Sequence, residues 1–491
     1  MKHITLLFLI LPFFGLSQIQ IGQDIDGEAF DDVSGSSIAL NDNGDIVAIC
    51  GFGNDGNGLD SGHVRIFENQ GGSWTQIGSD INGESSGDGI NSVALNSDGS
   101  IIAVGATGND GNGNNSGHVR IYENQGGAWT QIGSDIDGDA NDDNFGSSIS
   151  MSSNGTIVAI GASGNDGNGN NSGHVRIYEN QGGIWIQIGQ DINGENPSDL
   201  SGGSVSINSN GTIVAIGATG NDGNGSNSGH VRIYENQGGA WIQIGSDIDG
   251  EVAGDRTGQS VSLNSNGTIV AIGASGNDGN GSNSGHVRIY ENQGGTWTQI
   301  GVDIDGEASN DNSGASVALS SNGTIVAIGA SGNDGNGNNS GHVRIYENQG
   351  GTWTQIGIDI DGEVAGDQTG QSVSLNFNGT IVATGAPFNN GSLGSFSFTG
   401  HVRVYDLTTV LSTNDLVLQT LQLYPNPAKI QFTIQLDTSV QLEKVTVYNL
   451  LGQEVLTSKE YTVNTSKLSS GSYVVEVITN QGKSTKQLII D

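Results

Sequence analysis

Acidic residues in short loops are the first candidates for chemistry in this chain. The string Asp-Gly-Asn-Gly begins at six positions, which are Asp55, Asp110, Asp166, Asp222, Asp278 and Asp334. Side-chain oxygens at alternate positions are what calcium loops provide. Each string offers a single carboxylate and lacks a bidentate Glu downstream, so a turn-rich loop of Gly and Asn is the favoured interpretation. Calcium at these six aspartates is the alternative, with further carboxylates supplied by the neighbouring Asp-Ile-Asp-Gly-Glu segment.

Histidine is the second type of candidate ligand. The tripeptide His-Val-Arg recurs at His63, His118, His174, His230, His286, His342 and His401. None of these histidines has a Cys or a second His at metal-ligand spacing. We therefore interpret the histidines as repeated packing positions, and the arginines of the motif as structural partners for carboxylates or carbonyls.

The sequence assigns no catalytic residues. An active site needs several different groups in one place, so an enzyme built from repeats breaks its symmetry there. These repeats are nearly identical, and no isolated Ser–His–Asp set or carboxylate pair stands out. We expect a protein that is not an enzyme. A hydrolase or lyase acting on extracellular polysaccharide is the competing hypothesis.

Ligand contacts are expected where the copies differ. Asp139, Asp142 and Asp143 lie in one variable loop, and Arg256 lies in another. Arg256 is the one arginine outside the His-Val-Arg motif. We predict these four residues as ligand-binding candidates.

Charge limits the kinds of partner. The chain has 52 Asp and Glu against 15 Lys and Arg, a formal net charge of −37. Apart from Lys2, every lysine lies at or beyond Lys429, so the repeats carry nearly all of the negative charge. Such a surface repels nucleic acid and anionic membranes and attracts cations or basic partners. Solubility alone is the simpler explanation.

The elements that position these residues follow from the repeat. In one copy, alternation over 259–264 predicts a strand, Asn266-Gly267 a hairpin turn, and the apolar run 268–274 a buried strand. A third strand follows over 286–291, and a fourth from Thr296 to about Val302. Four antiparallel strands in about 56 residues match one blade of a β-propeller. We predict an all-β, seven-bladed propeller.

The ends of the array predict how the ring closes. Fourth strands with Trp-x-Gln-Ile-Gly occur six times, against seven third strands. The missing copy stands near the N-terminus, where residues 18–28 repeat the Gln-Ile-Gly-x-Asp-Ile-Asp-Gly-Glu segment. Residues 18–27 are therefore predicted to complete the last blade, and the propeller is predicted to span 18–406.

The N-terminus predicts export. Residues 1–17 combine Lys2, an apolar run and small residues before Gln18, a pattern typical of a secretory signal peptide. No later segment has the roughly 18 apolar residues that a membrane span requires. We expect a protein that is secreted or held at the outer-membrane surface, without a transmembrane segment.

The first two strands of the repeat resemble the FG-GAP repeat of the integrin α-subunit propeller. Phe145-Gly146 carries the FG element, and Gly385-Ala386-Pro387 carries GAP. The resemblance covers roughly 18–405 and implies the propeller fold. That family holds calcium in Asp-rich loops between the first and second strands. Here a bare Asn-Gly turn stands there, so that metal site is not carried over.

The tail resembles the type A C-terminal sorting domain of the type IX secretion system in Bacteroidota. The resemblance covers 421–491, after a linker at 407–420, and alternating strands predict a small β-sandwich. It implies the secretion machinery as a partner. The residues that carry the motif are Tyr424, Pro425, Asn426, Pro427, Gly452, Gly471 and Tyr473.

These observations favour a secreted or cell-surface propeller that acts as a binding or adhesion module. Its extracellular partner would be a protein or a glycan. No cofactor is required by the sequence, and calcium is the one that the loops would accept. A surface-layer protein without a specific ligand is the third alternative.

Overall fold

The computed structural model describes residues 18–390, 398–411, 422–436, 441–449, 453–479 and 482–490. Residues Gln18–Leu407 form one compact unit, and the chain from Thr408 belongs to another. The predicted signal peptide and residues 412–420 of the predicted linker lie outside the described residues. The beginning of that linker contains a one-turn helix, Thr408–Leu411.

The first unit is built from seven antiparallel sheets, which confirms the predicted propeller. Blades 1 to 7 are numbered by their first strands. These are Ser34–Leu40, Ile90–Leu95, Phe145–Met151, Ser204–Ile207, Ser260–Leu263, Ser313–Leu319 and Ser372–Leu375. The second strands are Ile46–Gly51, Ile101–Ala106, Ile157–Ala162, Ile213–Ala218, Ile269–Ala274, Ile325–Ala330 and Ile381–Ala386. The third strands are His63–Asn69, His118–Asn124, His174–Asn180, His230–Gln237, His286–Asn292, His342–Asn348 and His401–Asp406.

The hairpin between the first two strands forms as its sequence predicts. Gly267 has a φ of +74°, which a residue without a Cβ adopts at little cost. The Asn264 side-chain oxygen accepts hydrogen bonds from the backbone N–H groups of Thr268 and Ile269, each at 2.9 Å. The second strand that follows is buried over most of its length. It can therefore carry an apolar run without polar alternation.

The fourth strand differs from the prediction because it is broken in two. In blade 5 it consists of Trp297–Gln299 and Ile304–Asp305, both paired with the third strand. Between them Gly301 has a φ of +77°, and a Cβ there would lie 2.8 Å from the Gly351 carbonyl oxygen of blade 6. The strand is thus broken where the neighbouring blade contacts it. The Gln299 side-chain amide spans it with a 2.6 Å hydrogen bond to Asp303.

The other blades have the same two-part fourth strand. In blades 1 to 4 and 6 the first part of this strand is Trp74–Gln76, Trp129–Gln131, Trp185–Gln187, Ala240–Gln243 and Trp353–Gln355. The second part, in the same order, is Ile81–Asn82, Ile136–Asp137, Ile192–Asn193, Ile248–Asp249 and Ile360–Asp361.

Blade 7 is completed by the N-terminal segment, as predicted. Ile19–Gln20 and Ile25–Asp26 both pair antiparallel with His401–Asp406. A ring of seven backbone hydrogen bonds, with N···O distances of 2.9–3.1 Å, also joins each blade to the next and blade 7 to blade 1. The donors are Asp42, Ser97, Ser153, Ser209, Ser265, Ser321 and Phe377. The ring is therefore closed both through a shared blade and through these contacts.

The core lies between adjacent blades. One cluster joins Val402 and Val404 of blade 7 to Val47, Ile49 and Phe67 of blade 1. The apolar core thus crosses the junction where the two ends of the propeller meet. Each blade keeps an edge at its fourth strand, but the break in that strand leaves only short edge segments.

The second unit contains two sheets. One has the strands Gln422–Tyr424, Gln431–Gln435 and Thr462–Asn464, and the other Leu442–Tyr448, Glu454–Ser458, Gly471–Thr479 and Gly482–Ile490. Phe432 and Val463 of the first sheet share a core with Val447, Val475 and Leu488 of the second. This is the small C-terminal β-sandwich that the sequence predicts.

The described residues of the predicted sorting motif lie in strands of this unit and in the bend after Tyr424. Tyr424 is exposed, and its bond to Pro425 and the Asn426–Pro427 bond are both cis. The Asn426 side-chain oxygen accepts a 2.9 Å hydrogen bond from the Ile489 N–H. Gly471 begins a strand in which the Tyr473 hydroxyl donates to the Ser469 carbonyl. Gly452 lies outside the described residues.

Candidate functional site

One face of the propeller carries the long loops, and we call it the long-loop face. It is formed by the loops from second to third strands, such as 275–285, and from each blade to the next, such as 250–259. The opposite face has the short Asn-Gly and Gln-Gly-Gly turns. The candidate residues from the propeller sequence all lie on the long-loop face.

The six aspartates of the predicted calcium loops are exposed, and each closes its own loop. The Asp278 carboxylate accepts a 2.7 Å hydrogen bond from the Asn283 N–H, five residues on. The matching bonds of Asp55, Asp110, Asp166, Asp222 and Asp334 measure 2.8–2.9 Å. In the same loop, the Asn280 amide donates to the Gly306 carbonyl. The local geometry is that of a turn-rich loop.

Asp143 occupies a different environment from the one predicted for it. It is 2% exposed, and its carboxylate accepts hydrogen bonds from the N–H groups of Asp139 and Ala140 and from the Asn165 amide. Buried aspartates take the same place in the other blades, namely Asp32, Asp88, Asp199, Asp255, Asp311 and Asp367. Asp143 therefore ties the loops together and is not available to a ligand, which corrects its assignment as a contact.

Asp142 and Asp139 are exposed. Asp142 has a φ of 61° and accepts a 3.0 Å hydrogen bond from the Asn115 amide. Asp139 forms an ion pair with Arg176, in which two guanidinium nitrogens meet its two carboxylate oxygens. Of these two residues, Asp142 has the freer carboxylate.

Arg256 is exposed, with a φ of 56°. Its backbone is fixed by hydrogen bonds to Asn227 and Gln259, while no ion pair of its guanidinium occurs within the described residues. The side chain lines a cavity of about 290 Å³ between the loops of neighbouring blades. The other lining residues are Leu200, Thr219, Gly220, Asn227 and Gln259. The cavity thus brings together Arg256, two residues with side-chain amides and a leucine.

The seven histidines are buried, each at about 1% exposure. Each Nδ1 lies 3.5–3.8 Å from an aspartate at the break of the fourth strand. Burial and the nearby arginine lower the histidine pKa, to about 4 for His118. The imidazoles are therefore neutral near pH 7. The packing role predicted for them agrees with this burial, but the neighbouring aspartates were not anticipated.

The arginines of the motif contact carboxylates and carbonyls, as predicted, and these partners belong to the preceding blade. In six copies the guanidinium NH1 lies 3.4–4.0 Å from a glutamate that follows the preceding blade. The NH2 of the same group donates to a backbone carbonyl of that blade at 2.6–2.8 Å. The guanidinium also lies over an aromatic ring, 5.2–5.8 Å from its centroid.

Acidic cavities open between blades on the long-loop face. One of about 590 Å³ is lined by Glu195, Asp222, His230, Asp247 and Asp249, among others. A second, of about 310 Å³, includes Asp24, Asp26, Glu363 and His401. The first brings a predicted calcium-loop aspartate to the same cavity as the Asp-Ile-Asp-Gly-Glu carboxylates. A 17-residue interval from His to Asp, repeated in the sequence, is the signal that could have revealed these clusters.

Two family models match parts of the chain. Residues 129–178 match the FG-GAP repeat, and residues 422–491 match the secretion system C-terminal sorting domain. Both matches confirm resemblances predicted from the sequence. The tail is a type IX sorting domain, so the protein is exported and is secreted or held at the cell surface. No helix in the described part of the chain is long and apolar enough to cross a membrane.

Similarity to characterised proteins is local or distant. Ulvan lyase NLR42 of Nonlabens ulvanivorans is 35% identical over 81 residues, 16% of this chain and 15% of that protein. The chain thus matches only a small part of this curated relative's length. Kuenenia stuttgartiensis hydrazine synthase is 14% identical, with a TM-score of 0.50 over 78% of this chain and 96% of that chain. The second likeness concerns the fold alone.

Proposed function

We propose that the propeller is an extracellular binding module whose long-loop face contacts a glycan. The observation that carries this proposal is the cavity at Arg256, formed by loops in which the blades differ. An exposed guanidinium can pair with a carboxylate or sulfate group through parallel hydrogen bonds. The amides of Asn227 and Gln259 offer hydrogen bonds to hydroxyls, and Leu200 offers an apolar contact. This combination suits an acidic sugar.

The surrounding charge restricts the ligand. The propeller is strongly acidic, so a long polyanion would be repelled except at Arg256. We therefore expect recognition of an isolated acidic residue in a glycan, with the acidic cavities left for cations. A calcium ion bridging the face to the glycan, through Asp55 and its five equivalents, is part of the same proposal. Asp139 and Asp142 lie in the loop between blades 2 and 3, which is equivalent to the loop of Arg256 between blades 4 and 5.

Polysaccharide cleavage is the second candidate function. It is favoured by the local similarity to a protein described as an ulvan lyase. Against it, the His–Asp pairs recur in all seven blades, whereas catalysis needs distinct groups gathered at one place. Ulvan is accordingly the first polymer to include in a digestion screen.

A glycan array with and without calcium, run beside a polysaccharide digestion screen, tests the proposal. We expect binding to glycans that carry a carboxylate or sulfate, and no release of oligosaccharides from ulvan or other polymers. EDTA separates a calcium bridge from direct recognition, because it abolishes glycan binding that needs calcium and leaves direct binding unchanged. Release of unsaturated or reducing ends would support cleavage. An array without any bound glycan would overturn glycan recognition.

A further inference from the structure

Clusters of one histidine and two carboxylates recur between blades. In each, one oxygen or nitrogen from every residue lies within 4.8 Å of the others. Four clusters have the same composition, with the glutamate from the preceding blade. They are Glu28–His63–Asp80, Glu84–His118–Asp135, Glu195–His230–Asp247 and Glu251–His286–Asp303. Their ligand atoms are those that divalent transition metals take in proteins.

The imidazole of His63 points into its cluster without a partner. Its Nδ1 lies 3.6 Å from the Asp80 Oδ2, beyond hydrogen-bond length, and makes no hydrogen bond. The residue is 1% exposed. The other Asp80 oxygen is already used, since it accepts a 2.6 Å hydrogen bond from Gln76. A buried polar atom without a partner is costly. An ion between Nδ1, the Asp80 Oδ2 and the Glu28 carboxylate, which also lies beside Arg65, would remove that cost at Nδ1.

Blade 3 shows a cation in the equivalent place. There Asp139 replaces the glutamate, and Arg176 bridges the two carboxylates. The guanidinium makes two 3.0 Å hydrogen bonds to Asp191, the aspartate that faces His174. The two carboxylates of this blade are therefore bridged by a cation of the chain itself.

In the other copies the arginine lies beside the glutamate alone and makes no hydrogen bond to the aspartate that faces the histidine. Arg232 donates to the Asn193 carbonyl and lies over the Tyr234 ring, although its NH1 remains 3.6 Å from Glu195. It makes no hydrogen bond to Asp247, whose position matches that of Asp191. The cavity of about 590 Å³ lies at this cluster. The two arrangements of the arginine thus correspond to a difference of one methylene group, between Asp139 in blade 3 and a glutamate in the other copies.

We propose that the Glu28–His63–Asp80 cluster, and by its equivalence each of the other open clusters, binds one divalent transition-metal ion, with the histidine Nδ1, the aspartate and the glutamate as ligands. Blade 3 is filled by Arg176 and binds none. One nitrogen and two carboxylates favour Zn²⁺ over Ca²⁺, which prefers six to eight oxygens. Ligands from two blades would make each ion a link between them. This proposal does not depend on glycan recognition.

The Asp/Glu difference provides reciprocal variants for a test. The purified full chain is stripped with a chelator and titrated with Zn²⁺ by calorimetry, and bound zinc is counted by mass spectrometry. Glu195→Asp copies blade 3 and is expected to lose one bound ion. Asp139→Glu copies the other blades and is expected to gain one. Both residues occur naturally at this position, so both variants should fold, which circular dichroism checks.

Three further variants complete the design. Glu235→Gln is the control, because it changes a carboxylate at the short-turn end of the same blade, and it should leave the zinc count unchanged. Asp222→Asn tests a loop aspartate that lines the same cavity but is not a proposed ligand. His230→Gln removes the nitrogen ligand and should lose one ion, as Glu195→Asp does. The proposal is overturned if the chain binds no Zn²⁺, or if the count is the same in both reciprocal variants. A loss with Asp222→Asn alone would also overturn it, by moving the metal to the loops.

Discussion

At the scale of single residues, repetition hides two kinds of aspartate. Asp278 and Asp255 are both loop residues in a Gly-rich setting, yet one is exposed and the other is 1% exposed. The sequence predicts the turn around Asp278, because local Asn and Gly spacing determines it. It could not predict the burial of Asp255 or Asp143, because neighbouring loops cover them only after the blades assemble.

Removing the buried carboxylate should be far more costly than removing the exposed one. Asp255 accepts hydrogen bonds from the N–H groups of Glu251 and Val252 and from the Asn277 amide. We expect Asp255→Ala to lower the free energy of unfolding by about 3 kcal/mol, since it leaves buried donors unpaired. Urea denaturation measures this. Asp278→Ala is the control, and an equal loss in the two variants would contradict the structural role.

At the scale of elements, the fourth strand shows where local patterns stop being sufficient. The segment 297–302 is predicted as one strand, and the structure divides it. The positive φ of Gly301 and the approach of blade 6 cause the break. Neither can be predicted from the alternation of polar and apolar residues in this segment. The same break sets Asp303 opposite His286, so the histidine clusters could not be predicted either. Their residues come from two blades and lie far apart in sequence.

The tryptophan of this strand links blades through its indole nitrogen. Trp297 Nε1 donates to the Ile244 carbonyl of blade 4 at 2.9 Å, and its equivalents do the same. Trp297→Phe should therefore lower the free energy of unfolding by about 1 kcal/mol, the usual value for one hydrogen bond. Thr298→Val, on the exposed face of the strand, serves as the control in the same denaturation experiment. An effect no larger than that of the control would argue against the link.

At the scale of the whole molecule, the count of strands was sufficient to predict ring closure. Seven third strands against six Trp-containing fourth strands require one more strand from elsewhere, and residues 18–27 supply it. The core shared by blades 7 and 1 shows why the position is stable. The proposed ligand site was less predictable, because it depends on which loops meet across a cavity. Of the four predicted contacts, Arg256 lines such a cavity and Asp143 is buried.

Loss of the closing strand should destabilise the ring sharply. Deleting residues 18–27 exposes the edge of His401–Asp406 and removes Ile25 from the core. We expect the melting temperature, followed by differential scanning calorimetry, to fall well below that of the full propeller. Gln23→Ala, within the same segment, is the control, and its melting temperature is expected to equal that of the unaltered protein. An unchanged melting curve for the deletion would mean that closure contributes little.

We propose that a symmetric scaffold presents its ligand site where the blades differ. The most direct test of this proposal is the dissociation constant for an acidic glycan found on the array. Arg256→Gln places in this loop the residue that stands at 368 in the equivalent loop, and Gln368→Asn is the matched control. We expect Arg256→Gln to bind at least about tenfold more weakly, since a charged hydrogen bond contributes about 1.5–3 kcal/mol. We expect Gln368→Asn to bind as the wild-type protein does. Equal affinity of the wild-type protein and Arg256→Gln would contradict the proposal.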